Sequence, residues 1–144
     1  MLEENYVISI TGKQKIDKEN DEIELTTCGT YTKKGGKRYI VYNEYDKENP
    51  AKKTKSVLKI EKGKVILIKG NDMQTRLILE EGKRNQCFYA TDVGTMIIGV
   101  FTDKIDEKLD DNGGTLEIKY SLDINAGLTS YNNIFIEVKK GGSM

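Results

Sequence analysis

Apolar and polar residues alternate along most of this chain, and the clearest alternation runs from Leu116 to Ile124. Every second position in that segment is apolar, and the positions between them carry charged or hydroxyl side chains. A period of two residues is typical of a strand that has one face in a core and the other in water. Turn-forming sequences rich in glycine and asparagine flank the segment at 111–114 and 125–127. We therefore predict a strand that is joined by tight hairpins at both ends.

Similar short alternating or apolar segments recur along the rest of the chain, and turn residues separate most of them. The other predicted strands cover residues 6–11, 23–31, 39–45, 57–60, 65–68, 77–79, 86–90, 95–102, 105–109 and 128–138. No convincing amphipathic helix lies between them, so the pattern predicts an all-β domain, either an antiparallel barrel or a sandwich. Gly29 interrupts the second strand and indicates a bulge or sharp curvature there.

The length and the charge balance set limits on the architecture and on the partners. The 144 residues suit one domain, predicted at 1–140, with residues 141–144 as a disordered tail or expression remnant. The 23 basic and 23 acidic residues cancel, which does not favour nucleic acid or an anionic membrane as partner. The amino terminus is acidic and lacks a signal peptide's features, and no apolar run approaches the ~20 residues of a membrane helix. We expect a cytoplasmic protein.

The chain contains no histidine, and this absence excludes several kinds of active site. Serine and cysteine nucleophile systems that use an imidazole base, and zinc sites that contain histidine, are ruled out. Cys28 and Cys87 lack CxxC spacing, so we predict two separately buried side chains and no metal site. The spacing leaves a disulfide between them open, although the expected cytoplasmic location argues against one. Residues 29–37 and 108–119 fail the spacing or residue requirements of a phosphate-binding loop and of a calcium loop. The sequence predicts no catalytic residue and no cofactor.

Polar side chains interrupt the apolar pattern at several positions of the predicted interior. Ser130 and Asn132 share the parity of Ile134 on the last strand, and several tyrosines would line the mouth or the interior of a barrel. A mostly apolar cavity with a few convergent polar groups is typical of ligand sites. The candidate ligand-binding residues are Tyr39, Arg76, Tyr89, Tyr120, Ser130 and Asn132.

Two other hypotheses remain open beside a small-molecule binding barrel. The same tyrosines would leave no cavity if they filled the interior and placed their hydroxyls at its ends. In that case Tyr131 and Phe135 become important, because they alternate with the inward residues of the last strand and are expected to point outward. An exposed patch of this kind would favour a protein partner or a homodimer. An enzyme would need a buried carboxylate, lysine or tyrosine that works without histidine.

Segments across nearly the whole chain resemble a known family. They are ISITGKQ at 8–14, EEGKRN at 80–85, DVGTMIIGVFTDKI at 92–105, NGGTLEIKYSLDIN at 112–125 and SYNNIFIEVKK at 130–140. This order of features resembles the YwiB-like family, bacterial proteins of unknown function with a calycin-like, lipocalin-type β-barrel. The resemblance implies a single up-and-down barrel of eight to ten antiparallel strands around an interior that can hold a small ligand, and we expect this ligand to be apolar. It implies no activity, and the lipocalin Gly-x-Trp signature is missing because the chain has no tryptophan.

Overall fold

The computed structural model describes residues 6–45, 48, 51–70, 74–91, 93–124, 127 and 129–141. The predicted turn residues 125 and 126, the first residue of the predicted last strand, 128, and most of the predicted tail, 142–144, lie outside these residues. Ten strands follow one another: β1 (Tyr6–Ile16), β2 (Glu19–Lys34), β3 (Lys37–Tyr45), β4 (Lys53–Glu61), β5 (Lys64–Lys69), β6 (Thr75–Glu80), β7 (Arg84–Thr91), β8 (Gly94–Asp110), β9 (Gly113–Asp123) and β10 (Thr129–Lys140).

The ten strands form one closed barrel in which each strand pairs with its neighbours in the sequence. The last strand returns to the first, and β1 and β10 pair in register from Tyr6 opposite Lys140 to Ile16 opposite Ser130. Every ladder between neighbouring strands is antiparallel, which confirms the predicted up-and-down barrel of eight to ten strands. Among the residues that the structure describes, no helix is long and apolar enough to cross a membrane.

The eighth strand is longer than the sequence pattern predicts. Segments 95–102 and 105–109 were predicted as two strands, but they belong to one strand, β8. The prediction was wrong because a bulge between Thr102 and Lys104 shifts the register with β9 and lets the strand bend without ending. The β6–β7 turn supports this bend, since the backbone N–H of Gly82 donates to the carbonyl of Thr102 over 2.8 Å.

Alternate side chains of all ten strands point into the lumen and form the core. The largest fully buried ones are Ile8, Ile40, Ile60, Leu79, Leu116, Ile118 and Ile136. Gly29 occupies an inward position of β2, and a side chain there would overlap the Val41 carbonyl oxygen and the Ile8 side chain. Glycine at this point therefore allows β3 and Ile8 to approach β2 closely. The ladders to β1 and β3 show no register shift at Gly29, so the predicted bulge is absent there.

The barrel has two different ends. The lower end carries the β2–β3, β4–β5, β6–β7 and β8–β9 turns, and the upper end carries the other connections. Tyr31 is buried at the lower end and donates a hydrogen bond of 2.6 Å to the Asp110 carbonyl. Its hydroxyl accepts a bond of 3.1 Å from Arg38, which also lies 3.3 Å from Asp111. The Tyr6 ring packs edge-on against Tyr31 with 5.4 Å between centroids, so two aromatic side chains pack together at this end of the lumen.

The junction between β6 and β7 is the weakest part of the barrel wall. Among the described residues these strands share one ladder pair, Arg76 with Phe88, whereas every other neighbouring pair of strands shares at least six. Side chains replace the missing backbone bonds. The N–H of Ile78 donates to Cys87 Sγ over 3.2 Å, and Asn85 donates to the Ile78 carbonyl over 3.4 Å. We call this junction the seam.

The thiol of Cys87 provides a test of whether the seam opens. Cys87 is buried, and burial raises the pKa of its thiol, so it reacts with a disulfide reagent only when the wall around it opens. In a Cys28→Ser variant we expect Cys87 to be labelled about tenfold faster than global unfolding allows, because the opening of one junction costs less than unfolding the barrel. Reaction with 5,5′-dithiobis(2-nitrobenzoate), followed at increasing urea concentration, measures this rate.

A matched control places the only thiol in a fully paired part of the wall. Val100 is fully buried on β8 and pairs with both β7 and β9. In a Cys28→Ser, Cys87→Ser background, Val100→Cys is expected to react only at the rate of global unfolding. Equal labelling rates and equal urea dependence for the two thiols would show that the seam does not open by itself.

Candidate functional site

Four hydroxyl-bearing side chains lie in the upper half of the lumen. Tyr42 on β3 pairs directly with Ser56 on β4, and Thr102 on β8 pairs directly with Tyr120 on β9. All four are buried at inward positions that alternate with outward ones along their strands. We call these four side chains the hydroxyl layer. It consists of two pairs on two separate walls of the barrel.

Two members of the hydroxyl layer lack a hydrogen-bond partner. Ser56 and Thr102 are both 0% exposed, and neither side-chain oxygen makes a hydrogen bond of acceptable geometry among the described residues. A buried hydroxyl without a partner costs free energy, and most such groups in folded proteins are bonded to protein or water. These two oxygens are therefore the unsatisfied polar groups of the lumen.

Both tyrosines of the layer keep their protons at physiological pH. Burial raises the pKa of Tyr42 to about 12, and the nearby Glu44 carboxylate acts in the same direction. The Ser56 hydroxyl offsets part of this rise because it lies towards the phenol oxygen, although outside hydrogen-bond geometry. Burial also raises the pKa of Tyr120, with smaller contributions from Tyr89 and Tyr42.

A set of polar side chains at the upper end lies next to the hydroxyl layer. Gln14 on β1 donates a hydrogen bond of 3.2 Å to Asn132 on β10, and Asn132 donates one of 3.1 Å to the Ser130 hydroxyl. Glu44 and Lys69 form an ion pair of 2.8 Å, also at inward positions near the upper end. We call these five side chains the polar rim.

A pocket of about 560 Å³ lies on the outer wall near the upper end, where β1, β2, β9 and β10 meet. Most of its wall consists of outward side chains, among them Lys13, Lys119 and Tyr131. Gln14, Tyr120 and Asn132 border it from their inward positions between these residues. Its volume lies within the ~300–1,000 Å³ of ordinary small-molecule sites, but the side chain of Tyr120 stays buried in the lumen.

The structure brings together four of the predicted site residues. Tyr120 and Ser130 are buried in the lumen, and Asn132 is half-buried beside Ser130. Tyr89 shares the inward parity of Cys87 and lies close enough to Tyr120 to affect its pKa, but it is 41% exposed at the upper end.

The other two predicted residues lie on the outer surface, which corrects their placement. Tyr39 occupies an outward position because Ile40 and Tyr42 take the inward positions of β3. Arg76 is exposed because Leu77 and Leu79 fill the lumen from β6.

Sequence reasoning missed Ser56, Thr102 and Gln14. The sequence does contain a signal for the first two. Ser56 lies two and four residues before the buried Leu58 and Ile60, and Thr102 lies two residues after the buried Val100, so each faces the same side of its strand as these core residues. Gln14 was missed because β1 was predicted to end at residue 11, whereas it continues to Ile16.

The two cysteines occupy different environments. Cys28 is exposed and Cys87 is buried, and both thiols are free. The prediction of two buried side chains was therefore correct for Cys87 and wrong for Cys28.

Removal of the unsatisfied hydroxyls tests the description of the layer. We expect Ser56→Ala and Thr102→Val each to raise the free energy of unfolding by about 1 kcal/mol, because each removes a buried polar group that has no partner. Urea unfolding followed by circular dichroism measures this change. Thr26→Val on the exposed part of β2 serves as a control, with an expected change within about 0.5 kcal/mol. A loss of stability in the lumen variants would instead show that these hydroxyls are hydrogen-bonded, for example to an ordered water.

These features define a closed, ten-stranded up-and-down barrel with a hydroxyl layer and a polar rim near one end. Over residues 8–136 the chain matches the family described as "Domain of unknown function (DUF1934)". The chain belongs to this family, which confirms the YwiB-like resemblance.

Two comparisons agree with this assignment. The chain is 24% identical over 135 residues to the "Uncharacterized beta-barrel protein YwiB" of Bacillus subtilis (strain 168), covering 94% of this chain and 89% of that protein. The crystal structure of the ywiB protein from Bacillus subtilis matches with a TM-score of 0.83 at 21% identity, covering 95% of this chain and 92% of that one. The structural match supports the fold alone. Neither name states an enzymatic activity.

Proposed function

We propose that the upper half of the barrel binds a small molecule between the hydroxyl layer and the polar rim. The observation that carries this proposal is the pair of fully buried, unpartnered hydroxyls of Ser56 and Thr102. Because Tyr31 and its partners occupy the lower end, we propose that the ligand enters from the upper end or through the seam.

Binding without turnover is the role that the side chains of the layer support. A general base works best when its pKa lies near the operating pH. The pKa of Tyr42 is about 12 and that of Tyr120 is also raised, so both phenols stay protonated and act as hydrogen-bonding groups. The proposed role needs no cofactor. The cytoplasmic location expected from the sequence stays a prediction.

Native mass spectrometry of untagged protein purified from its own host tests this function. We expect a non-covalent adduct of small-molecule mass in the native spectrum that disappears on denaturation. A variant with Ser56→Ala and Thr102→Val, purified in the same way, should lose the adduct while its circular dichroism spectrum stays unchanged. A bare chain mass in the native spectrum of the unmodified protein would contradict the proposal.

A second candidate function, association through the outer surface, is favoured by a specific observation. Phe88 and Ile97 are direct cross-strand partners with outward side chains that are 56% and 59% exposed. Phe88 pairs with Arg76 on β6, and Arg76 pairs with Ile68 on β5. These four outward residues form a row across the outer surface. On β10, which β9 separates from β8, Tyr131 and Phe135 are exposed as well, as predicted. Neighbouring exposed apolar side chains are typical of interaction sites.

The molecular mass in solution tests self-association, and light scattering over a range of protein concentrations measures it. A homodimer that uses the row would become monomeric in Phe88→Glu and stay dimeric in Phe135→Glu. The reverse result would place the interface on the side predicted from sequence. A monomer at every concentration would contradict self-association through either surface.

A further inference from the structure

We infer that the ligand of the hydroxyl layer is an uncharged molecule that carries hydrogen-bonding oxygen groups at two opposite ends. This inference rests on the proposed function and names the chemical class that the site takes. It differs from the small apolar ligand that the sequence and the resemblance lead one to expect.

The position of the two unpartnered hydroxyls determines the shape of the ligand. Ser56 lies on β4 and Thr102 on β8, and three strands separate them on one side of the closed barrel and five on the other. The two hydroxyls therefore belong to nearly opposite walls. One polar group of a small ligand cannot satisfy both of them, so two polar groups separated by an apolar body are required.

The charge of the layer determines the charge of the ligand. The four members of the layer are neutral hydroxyls, and two charged side chains at inward positions of the upper end, Glu44 and Lys69, already pair with each other over 2.8 Å. A charge on the ligand would be buried in the lumen without a counter-ion, which is strongly unfavourable. An uncharged ligand avoids this cost.

The chemistry of hydroxyl groups narrows the class further. Serine, threonine and tyrosine hydroxyls can each donate and accept a hydrogen bond. A ligand hydroxyl or carbonyl suits them equally well, and neither requires ionisation. Small diols, hydroxyketones and related neutral compounds meet these requirements.

Three ring compounds of similar size and different charge test the inference. They are trans-1,4-cyclohexanediol, trans-4-hydroxycyclohexanecarboxylate and trans-4-aminocyclohexanol, which are neutral, anionic and cationic at pH 7. Each is titrated into the full-length chain labelled with ¹⁵N, and amide chemical shifts give the site and the dissociation constant. We expect the diol to shift the amides of Ser56 and Thr102 and to bind at least about fivefold more tightly than either charged compound.

Variants show whether the hydroxyls hold the probe. Thr102→Val, which keeps the shape of the side chain, should weaken diol binding about fivefold, whereas Thr26→Val should leave it unchanged. Unchanged diol binding in Thr102→Val would overturn the inference.

The remaining outcomes distinguish this inference from the proposed function. If a charged probe binds at the layer as tightly as the diol, the ligand class is wrong while binding at the upper end stands. If no probe shifts the layer, the inference falls, and native mass spectrometry decides whether the proposed function falls with it.

Discussion

The Gly29→Ala variant is expected to lose about 3 kcal/mol of its free energy of unfolding. A Cβ atom at this inward position would overlap the Val41 carbonyl oxygen and the Ile8 side chain. The carbonyl belongs to the backbone of β3, which is paired on both sides, so it cannot move away without disturbing two ladders. Urea unfolding of the variant and of the unmodified chain measures the difference.

Gly12→Ala provides the matched control for this prediction. Gly12 lies in the middle of the neighbouring strand β1, and a Cβ atom there would have no atom within 4 Å. We expect this variant to change the stability by about 0.5 kcal/mol, with a gain as the expected sign because alanine restricts the unfolded chain. Equal losses in the two variants would show that backbone propensity, and not the close approach at Gly29, determines the effect.

The second large effect is a loss of stability at high pH that comes from the hydroxyl layer. A tyrosine in an unfolded chain loses its proton near pH 10, whereas Tyr42 in the barrel does so near pH 12. Between these values the native state binds more protons than the unfolded state, so the free energy of unfolding falls as the pH rises. The stabilisation is complete below pH 10 and is lost as the pH approaches 12. Tyr42 alone accounts for about 3 kcal/mol, and Tyr120 acts in the same direction.

Urea unfolding between pH 8 and 11.5 measures this loss, and absorbance at 295 nm follows the phenolates. Lysine deprotonation also lowers stability in this range, so a Tyr42→Phe variant is the control. Its stability should fall less steeply above pH 10, because phenylalanine has no proton to lose. A decline as steep as that of the unmodified chain would contradict the assignment of the effect to Tyr42.

The two-residue period was sufficient to predict most strands and the side of each that faces the core. Leu116, Ile118 and Ile136 are buried as their parity indicates. The bulge in β8 was not predictable in this way. Inward residues have even numbers up to Thr102 and odd numbers from Ile105 onward, and an alternating pattern that is interrupted like this resembles two separate strands. Only the pairing with β9 shows that the strand continues.

The candidate site was predicted in part, for a physical reason. Ser130, Asn132 and Tyr120 lie on strands with long, regular alternation, and there parity was reliable. Arg76 and Tyr39 lie on shorter apolar runs in which both faces carry large side chains, so parity did not show which face is inside. The absence of a partner for Ser56 and Thr102 depends on side chains of other strands and has no local signal in the sequence.

The pairing of β1 with β10 has a consequence for synthesis of the chain. The ladder that closes the barrel joins the first strand to the last, from Tyr6 opposite Lys140 onward. While the ribosome makes the intervening strands, β1 has an edge without its final partner, and the lumen stays accessible to water along that gap. Contacts so distant in sequence form slowly, and unpaired edges promote aggregation in the meantime. The newly made protein is therefore most vulnerable to aggregation just before β10 leaves the ribosome, and closure of the barrel ends that period.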